Sequence, residues 1–152
     1  MDKTALVDED IEIGRRFVAA LEKAGLPVAA AMWFRRSSHE TWMLGIASPN
    51  VQSYGPLSVI RIADAIRQKY FSDRIGPEDL FYFNTSQQAL DDLASLPRML
   101  TEGVREIWSF RLNHIDIDKA FFFHLALDRR PSDTVPDPSD LERKGAPRKR
   151  VA

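Results

Sequence analysis

Residues 28–48 read VAAAMWFRRSSHETWMLGIAS and contain the pattern on which the predicted fold depends. Two apolar runs of strand length are separated by four polar residues at positions 37–40. Aromatic and branched side chains favour strands over helices in runs this short, and the polar break supplies a turn. The stretch therefore predicts a β-hairpin.

A four-residue loop would fix the register of this hairpin and place Trp33 opposite Leu44. Since successive side chains on a strand point to opposite sides of a sheet, the residues divide between two faces. One face carries Ala31, Trp33, Trp42, Leu44 and Ile46, and the other carries Ala30, Met32, Phe34, Met43 and Ala47. Both faces are apolar, which predicts a sheet interior that needs cover on two sides.

Three amphipathic segments are predicted to supply that cover. A first helix begins near residue 8 and ends before Gly25, a glycine placed to stop it. A second helix begins at Pro56, and its apolar side, which includes Ile62 and Ile66, is expected to lie over the face that carries Trp33. A short third helix follows residue 85, and Pro97 closes it.

The complete pattern predicts an α+β fold with the order α-β-β-α-β-α-β-β. It consists of a mostly antiparallel sheet of about five strands, two longer helices and one short helix. Residues 49–55 are predicted as a loop, and the later strands are expected at 80–83, 104–112 and 117–125. Residues 1–127 are expected to form a single α+β domain. Residues 128–152, rich in proline and charge, are expected to form a disordered basic tail.

Composition and charge limit the classes of protein that fit. The 152 residues include no cysteine, which excludes disulfides and thiolate metal sites. No apolar run approaches the roughly 20 residues of a membrane span, and the acidic start MDKTALVDEDIE is unlike a signal peptide, so a cytoplasmic protein without membrane contact is expected. The net charge of −1 combines five cations and no acid in residues 143–152 with −6 in the residues before them. A body of that sign is not typical of nucleic-acid-binding surfaces.

Asp116, Asp118 and His124 form a set that suggests metal or acid-base chemistry. Residues two apart share a face of a strand, so two carboxylates and an imidazole could hold a divalent metal ion. Asp116 and His124 would, however, lie about 26 Å apart on an extended strand, which prevents direct cooperation. The residue two before Lys119 is Ile117 rather than an acid, so the acid-x-Lys pattern of metal nucleases also fails. A metal-dependent hydrolase using Asp116 and Asp118 remains a third hypothesis.

Other motifs give no support for catalysis or for a cofactor. His39 stands beside Glu40 in the hairpin loop, but no Ser or Cys nucleophile is placed near it in a recognisable motif. The glycines never form a phosphate-binding GxGxxG pattern or a Walker-type loop, so no cofactor is expected. The sequence therefore favours a non-enzymatic role.

Aromatic strands with two apolar faces favour a protein-interaction or accessory module, either a homo-oligomer or part of a complex. With only three predicted helices as cover, part of the sheet would stay open to a partner. The candidate interaction residues on the sheet are Met32, Phe34, Met43 and Phe122. The alternative is a nucleic-acid-associated accessory protein that uses the basic tail as a charged arm. Its candidate residues are Arg148, Lys149 and Arg150.

Overall fold

The computed structural model describes residues 6–94 and 106–139, which form an α+β fold around a five-stranded sheet. The helices are α1 (Asp8–Lys23), α2 (Pro49–Tyr54), α3 (Pro56–Tyr70) and α4 (Gln87–Ala94). The strands are β1 (Ala30–Arg36), β2 (Met43–Ala47), β3 (Leu80–Phe83), β4 (Glu106–Leu112) and β5 (Ile115–Leu125). The predicted fold class is confirmed, and α2 is an addition to the predicted order. Among the described helices, none is long and apolar enough to cross a membrane.

The strands lie in the order β3-β2-β1-β5-β4. β1 pairs antiparallel with β2 and with β5, and β4 pairs antiparallel with β5. β2 and β3 run parallel, so the sheet is mixed although mostly antiparallel. The parallel pair follows from the connection between these strands, because α2 and α3 carry the chain back across the sheet before β3 begins.

The hairpin of β1 and β2 has the predicted register. Trp33 lies opposite Leu44, and Phe34 lies opposite Met43. Pairing ends at this last pair, so the connection between the paired residues is longer than the predicted four-residue loop. The predicted division of side chains between two faces follows from this register.

Helices α1 and α3 cover one face of the sheet. The first core on this face includes Trp33, Trp42, Leu44 and Ile46 of the hairpin region together with Ile62 and Ile66 of α3, as the sequence predicts. Helix α1 approaches so closely that a Cβ atom at Gly14 would lie 2.8 Å from the ring of Phe123. A residue without a side chain is therefore needed at this point of α1.

The opposite face of the sheet is also buried. Its second core includes Met32, Phe34, Phe83, Leu93 and Phe122, and Met43 packs against it while partly buried. Met32 and Phe122 are each 2 % exposed and Phe34 is 0 % exposed. This corrects the expectation that part of the sheet stays open, because the rings of β3 and β5 fill the space beside the short helix α4.

The segment after β2 is the helix α2, whereas the sequence predicted a loop for residues 49–55. Ser48 caps this helix, since its hydroxyl oxygen accepts a hydrogen bond from the backbone N–H of Asn50 at 3.2 Å. The same hydroxyl donates to the carbonyl oxygen of Pro27 at 2.7 Å. The loop prediction was wrong because six residues are too few to show a helical period. Ser48 followed by Pro49 was nevertheless a readable start signal.

Residues 128–139 follow β5 and make specific contacts with the helices. Arg129 forms an ion pair with Glu22 of α1 at 2.9 Å. Ser132 and the side chain of Asn50 exchange two hydrogen bonds, of 2.9 and 3.0 Å. This part of the segment predicted as disordered thus has defined partners in the structure. Residues 140–152 lie outside the described residues, and their disorder stays a prediction.

Candidate functional site

The residues of the suggested metal site have separate partners in the structure. The carboxylate of Asp118 pairs with Arg35 of β1, and that of Asp116 pairs with Arg111 of β4 at 2.8 Å. His124 lies near the other end of β5, where its Nε2 is 2.9 Å from a backbone carbonyl oxygen. Over residues 6–94 and 106–139, no group of three or more His, Cys, Asp or Glu side chains could hold a metal ion.

His39 and Glu40 are exposed in the connection between β1 and β2. The Nδ1 atom of His39 lies 3.2 Å from the backbone oxygen of Ser37, two residues earlier. The position of this pair therefore agrees with a polar surface loop.

The candidate interaction residues predicted from the sequence do not form a surface. Met32, Phe34 and Phe122 lie inside the second core, and Met43 is partly buried against it. In the described chain, these side chains reach a partner only if the second core opens. Their part in an interaction stays a prediction. Arg148, Lys149 and Arg150 lie outside the described residues.

Exposed apolar side chains occur instead where α2 meets α3. Leu57 is 66 % exposed, and Tyr54 and Ile60 are each 38 % exposed. Beside them, a groove of about 350 Å³ runs between the two helices on one side and residues 135–138 on the other. We name it the α3 groove. Its lining residues are Tyr54, Leu57, Ser58, Arg61, Val135, Pro136, Asp137 and Pro138.

The amphipathic pattern of α3 explains why these side chains face solvent. Its buried residues are Val59, Ile62, Ala63, Ile66 and Arg67, which point towards the sheet. Leu57 and Ile60 fall outside this stripe at helical spacing, so they lie on the outer side of the helix. Two apolar residues off the stripe were therefore a signal that the sequence offered and that sequence reasoning missed.

The outer wall of the α3 groove is fixed to α2 at Ser132. The hydroxyl of Tyr54 donates a hydrogen bond to the backbone oxygen of Ser132, and the side chain of Asn50 holds Ser132 from within. Asn50 is itself 1 % exposed. The wall is therefore held by hydrogen bonds to a buried side chain rather than by surface contacts alone.

Glu22 of α1 holds the start of the same segment. Its carboxylate accepts hydrogen bonds from Nε of Arg129 at 2.9 Å and from the backbone N–H of Val28 at 3.0 Å. Burial by itself raises the pKa of the Glu22 carboxyl. The hydrogen bonds from Arg129 and Val28, together with the nearby His124, outweigh burial, so the net pKa is lowered.

Replacing Glu22 with glutamine is expected to flatten the dependence of stability on pH in acid. Because the pKa of Glu22 is lower in the folded protein, its ionised form contributes stability that is present above the unfolded pKa of roughly 4.3. This contribution is lost as the pH falls through the folded pKa. The free energy of unfolding, measured by urea denaturation at a series of pH values, should therefore change less steeply with pH below about pH 5 for Glu22→Gln than for the wild type.

Glu12→Gln is the matched control for this measurement. Glu12 lies on the same helix but pairs only loosely with Arg16, at 3.7 Å, with both side chains more than half exposed. If the free energy of unfolding changes with pH equally in Glu22→Gln, in the Glu12→Gln control and in the wild type, the ionised Glu22 carboxylate does not stabilise the fold.

No protein-family model, curated protein or solved structure matches this chain. A proposal of function therefore rests on the arrangement of the chain's own residues.

Proposed function

We propose that this protein is a non-enzymatic interaction module that binds a short segment of another polypeptide in the α3 groove. The observation that carries the proposal is the exposure of Leu57, which is 66 %. Transfer of apolar surface out of water contributes about 25 cal/mol per Å², so a partner side chain that covers Leu57 gains binding free energy. Tyr54 and Val135 extend the same apolar surface on the two sides of the groove.

The groove is shaped before a partner arrives, which favours binding. One wall is the helix pair α2–α3, and the other wall begins at Val135, shortly after the anchored Ser132. Pro136 and Pro138 restrict the backbone of this second wall. Little conformational entropy then remains to be lost on binding, and preorganisation of this kind raises affinity.

The two other hypotheses have less support. The nucleic-acid role depends on Arg148, Lys149 and Arg150, which lie outside the described residues, and it stays a prediction. The hydrolase hypothesis depends on Asp116 and Asp118, whose carboxylates are already paired with arginines. Neither hypothesis gains an observation comparable to the exposed apolar residues of α3.

Leu57→Asp is expected to weaken peptide binding at least about tenfold, because burial of a leucine side chain is worth ~1.5–3 kcal/mol. Peptides are first enriched from a random display library on the immobilised full chain, and their affinity is then measured by fluorescence anisotropy. Leu57 lies in the first turn of α3, where an acidic side chain suits the helix dipole, so the variant should stay folded.

Tyr70→Asp serves as the matched control. Tyr70 is 47 % exposed at the other end of α3 and does not line the groove. The proposal expects wild-type affinity for this control. An equal loss in both variants, no loss in Leu57→Asp, or a selection that enriches no peptide would each count against the α3 groove as a binding site.

A further inference from the structure

The α3 groove contains the guanidinium of Arg61, which has no ion-pair partner among the described residues. It is exposed on α3 and lines the groove, and no ion pair or hydrogen bond engages its guanidinium within the described chain. The nearest acid along the helix, Asp64, is already bound to Arg67 at 2.9 Å and to Gln68 at 2.8 Å. Arg61 is therefore available to a ligand.

The other polar groups that line the groove are engaged. The Ser58 hydroxyl donates to the backbone oxygen of Gly55 at 2.7 Å, and the Tyr54 hydroxyl donates to the backbone oxygen of Ser132. The carboxylate of Asp137 accepts a hydrogen bond from the backbone N–H of Ser139 at 2.9 Å. The groove thus offers a partner an apolar wall and one open guanidinium.

We infer that the α3 groove selects a polypeptide segment in which an apolar side chain stands next to a carboxylate. The inference rests on the proposed function and names the chemistry of its partner. The apolar side chain would pack against Leu57 and Val135, and the carboxylate would accept the paired N–H groups of Arg61. The groove volume of about 350 Å³ suits a motif of a few side chains rather than a folded surface.

A single arginine favours a carboxylate over a phosphorylated side chain. A phosphate carries about −1.5 to −2 charges, and its binding sites usually gather several cations. In the described lining of the groove, Arg61 is accompanied by Asp137 and by no second cation. Asp137 already accepts a hydrogen bond within its own segment, so the groove has one guanidinium with which to pair a singly charged acid.

The test is a display selection on the full-length wild type and on Arg61→Glu, with Arg15→Glu as control. Arg15 is exposed on α1 and does not line the groove. Because each variant replaces one arginine with glutamate, the two have the same net charge. The wild type and the control should enrich peptides in which Leu, Ile, Val or Phe is followed closely by Asp or Glu. A peptide selected on the wild type should bind Arg61→Glu about 10–100-fold more weakly, and selection on that variant should replace the acid by Lys or Arg.

The outcomes distinguish this inference from the proposed function. Peptides that require Leu57 but show no preference for acids, and bind Arg61→Glu as well as the wild type, would overturn the inference and leave the groove as a binding site. Enrichment of phosphorylated over acidic peptides in a matched pool would also overturn it. Binding that survives Leu57→Asp, or no enrichment at all, would overturn both.

Discussion

Trp33→Ala is expected to lower the free energy of unfolding by about 3–5 kcal/mol, because it leaves a large cavity in the first core. Trp33 is 0 % exposed and lies among side chains of α1, α3 and β2. Its indole N–H also donates a hydrogen bond to the backbone oxygen of Asp10 at 2.9 Å, which ties β1 to the first turn of α1. Urea denaturation of both proteins, fitted with a common slope, measures the difference.

Two further variants separate the effect of the cavity from that of the hydrogen bond and provide an exposed aromatic control. Trp33→Phe keeps most of the ring and loses the hydrogen bond to α1, so its cost should be lower, about 1–2 kcal/mol. Tyr70→Ala removes an aromatic ring that is 47 % exposed and should change stability by less than about 0.5 kcal/mol. A loss below about 1 kcal/mol for Trp33→Ala would mean that the ring is not packed in the interior.

The hairpin and the packing of α3 could be predicted because both depend on local spacing. The polar break between the two apolar runs centres the turn and so indicates which residues of β1 and β2 face each other, although the connection is longer than predicted. The alternation of side chains then assigns these residues to the two faces. The stripe that contains Ile62 and Ile66 likewise follows from the helical period alone. The parallel pairing of β2 with β3 could not be predicted in this way. It depends on which strand the chain meets after the crossover, and no short-range pattern records that choice.

The candidate site was predictable only in part. Leu57 and Ile60 stand off the buried stripe of α3 and mark an exposed apolar side from the sequence alone. The opposite wall comes from residues 135–138. Its position depends on the hydrogen bonds that Ser132 makes with Asn50 and Tyr54, which are 82 and 78 positions away in the sequence. Composition favours disorder for such a proline-rich and charged segment. The side chains of Asn50 and Tyr54 on α2 hold this segment in position, and composition alone cannot reveal such long-range partners.

The second core gives the other large expected effect, since Phe34→Ala should also cost about 3–5 kcal/mol. Phe34 is 0 % exposed, and its ring centre lies 5.3 Å from that of Phe83 and 5.8 Å from that of Phe81. The strand beside it leaves room for these rings, because a Cβ atom at Gly45 would lie 2.7 Å from Phe83 and 3.0 Å from Phe34. Truncation therefore removes a ring from a set that is already packed against the backbone.

The same variant decides whether Phe34 belongs to the interior or to an interface between chains. A core residue changes stability and leaves the molecular mass of the folded protein unchanged, whereas an interface residue changes the mass with little effect on unfolding of the chain. Phe34→Leu, which keeps a smaller apolar side chain in the same space, should cost less than Phe34→Ala because it leaves a smaller cavity. Urea unfolding is paired with light scattering at native conditions for all three proteins. If the mass changes and the loss of stability is below about 1 kcal/mol, Phe34 and its face of the sheet form an interface between chains rather than part of the core.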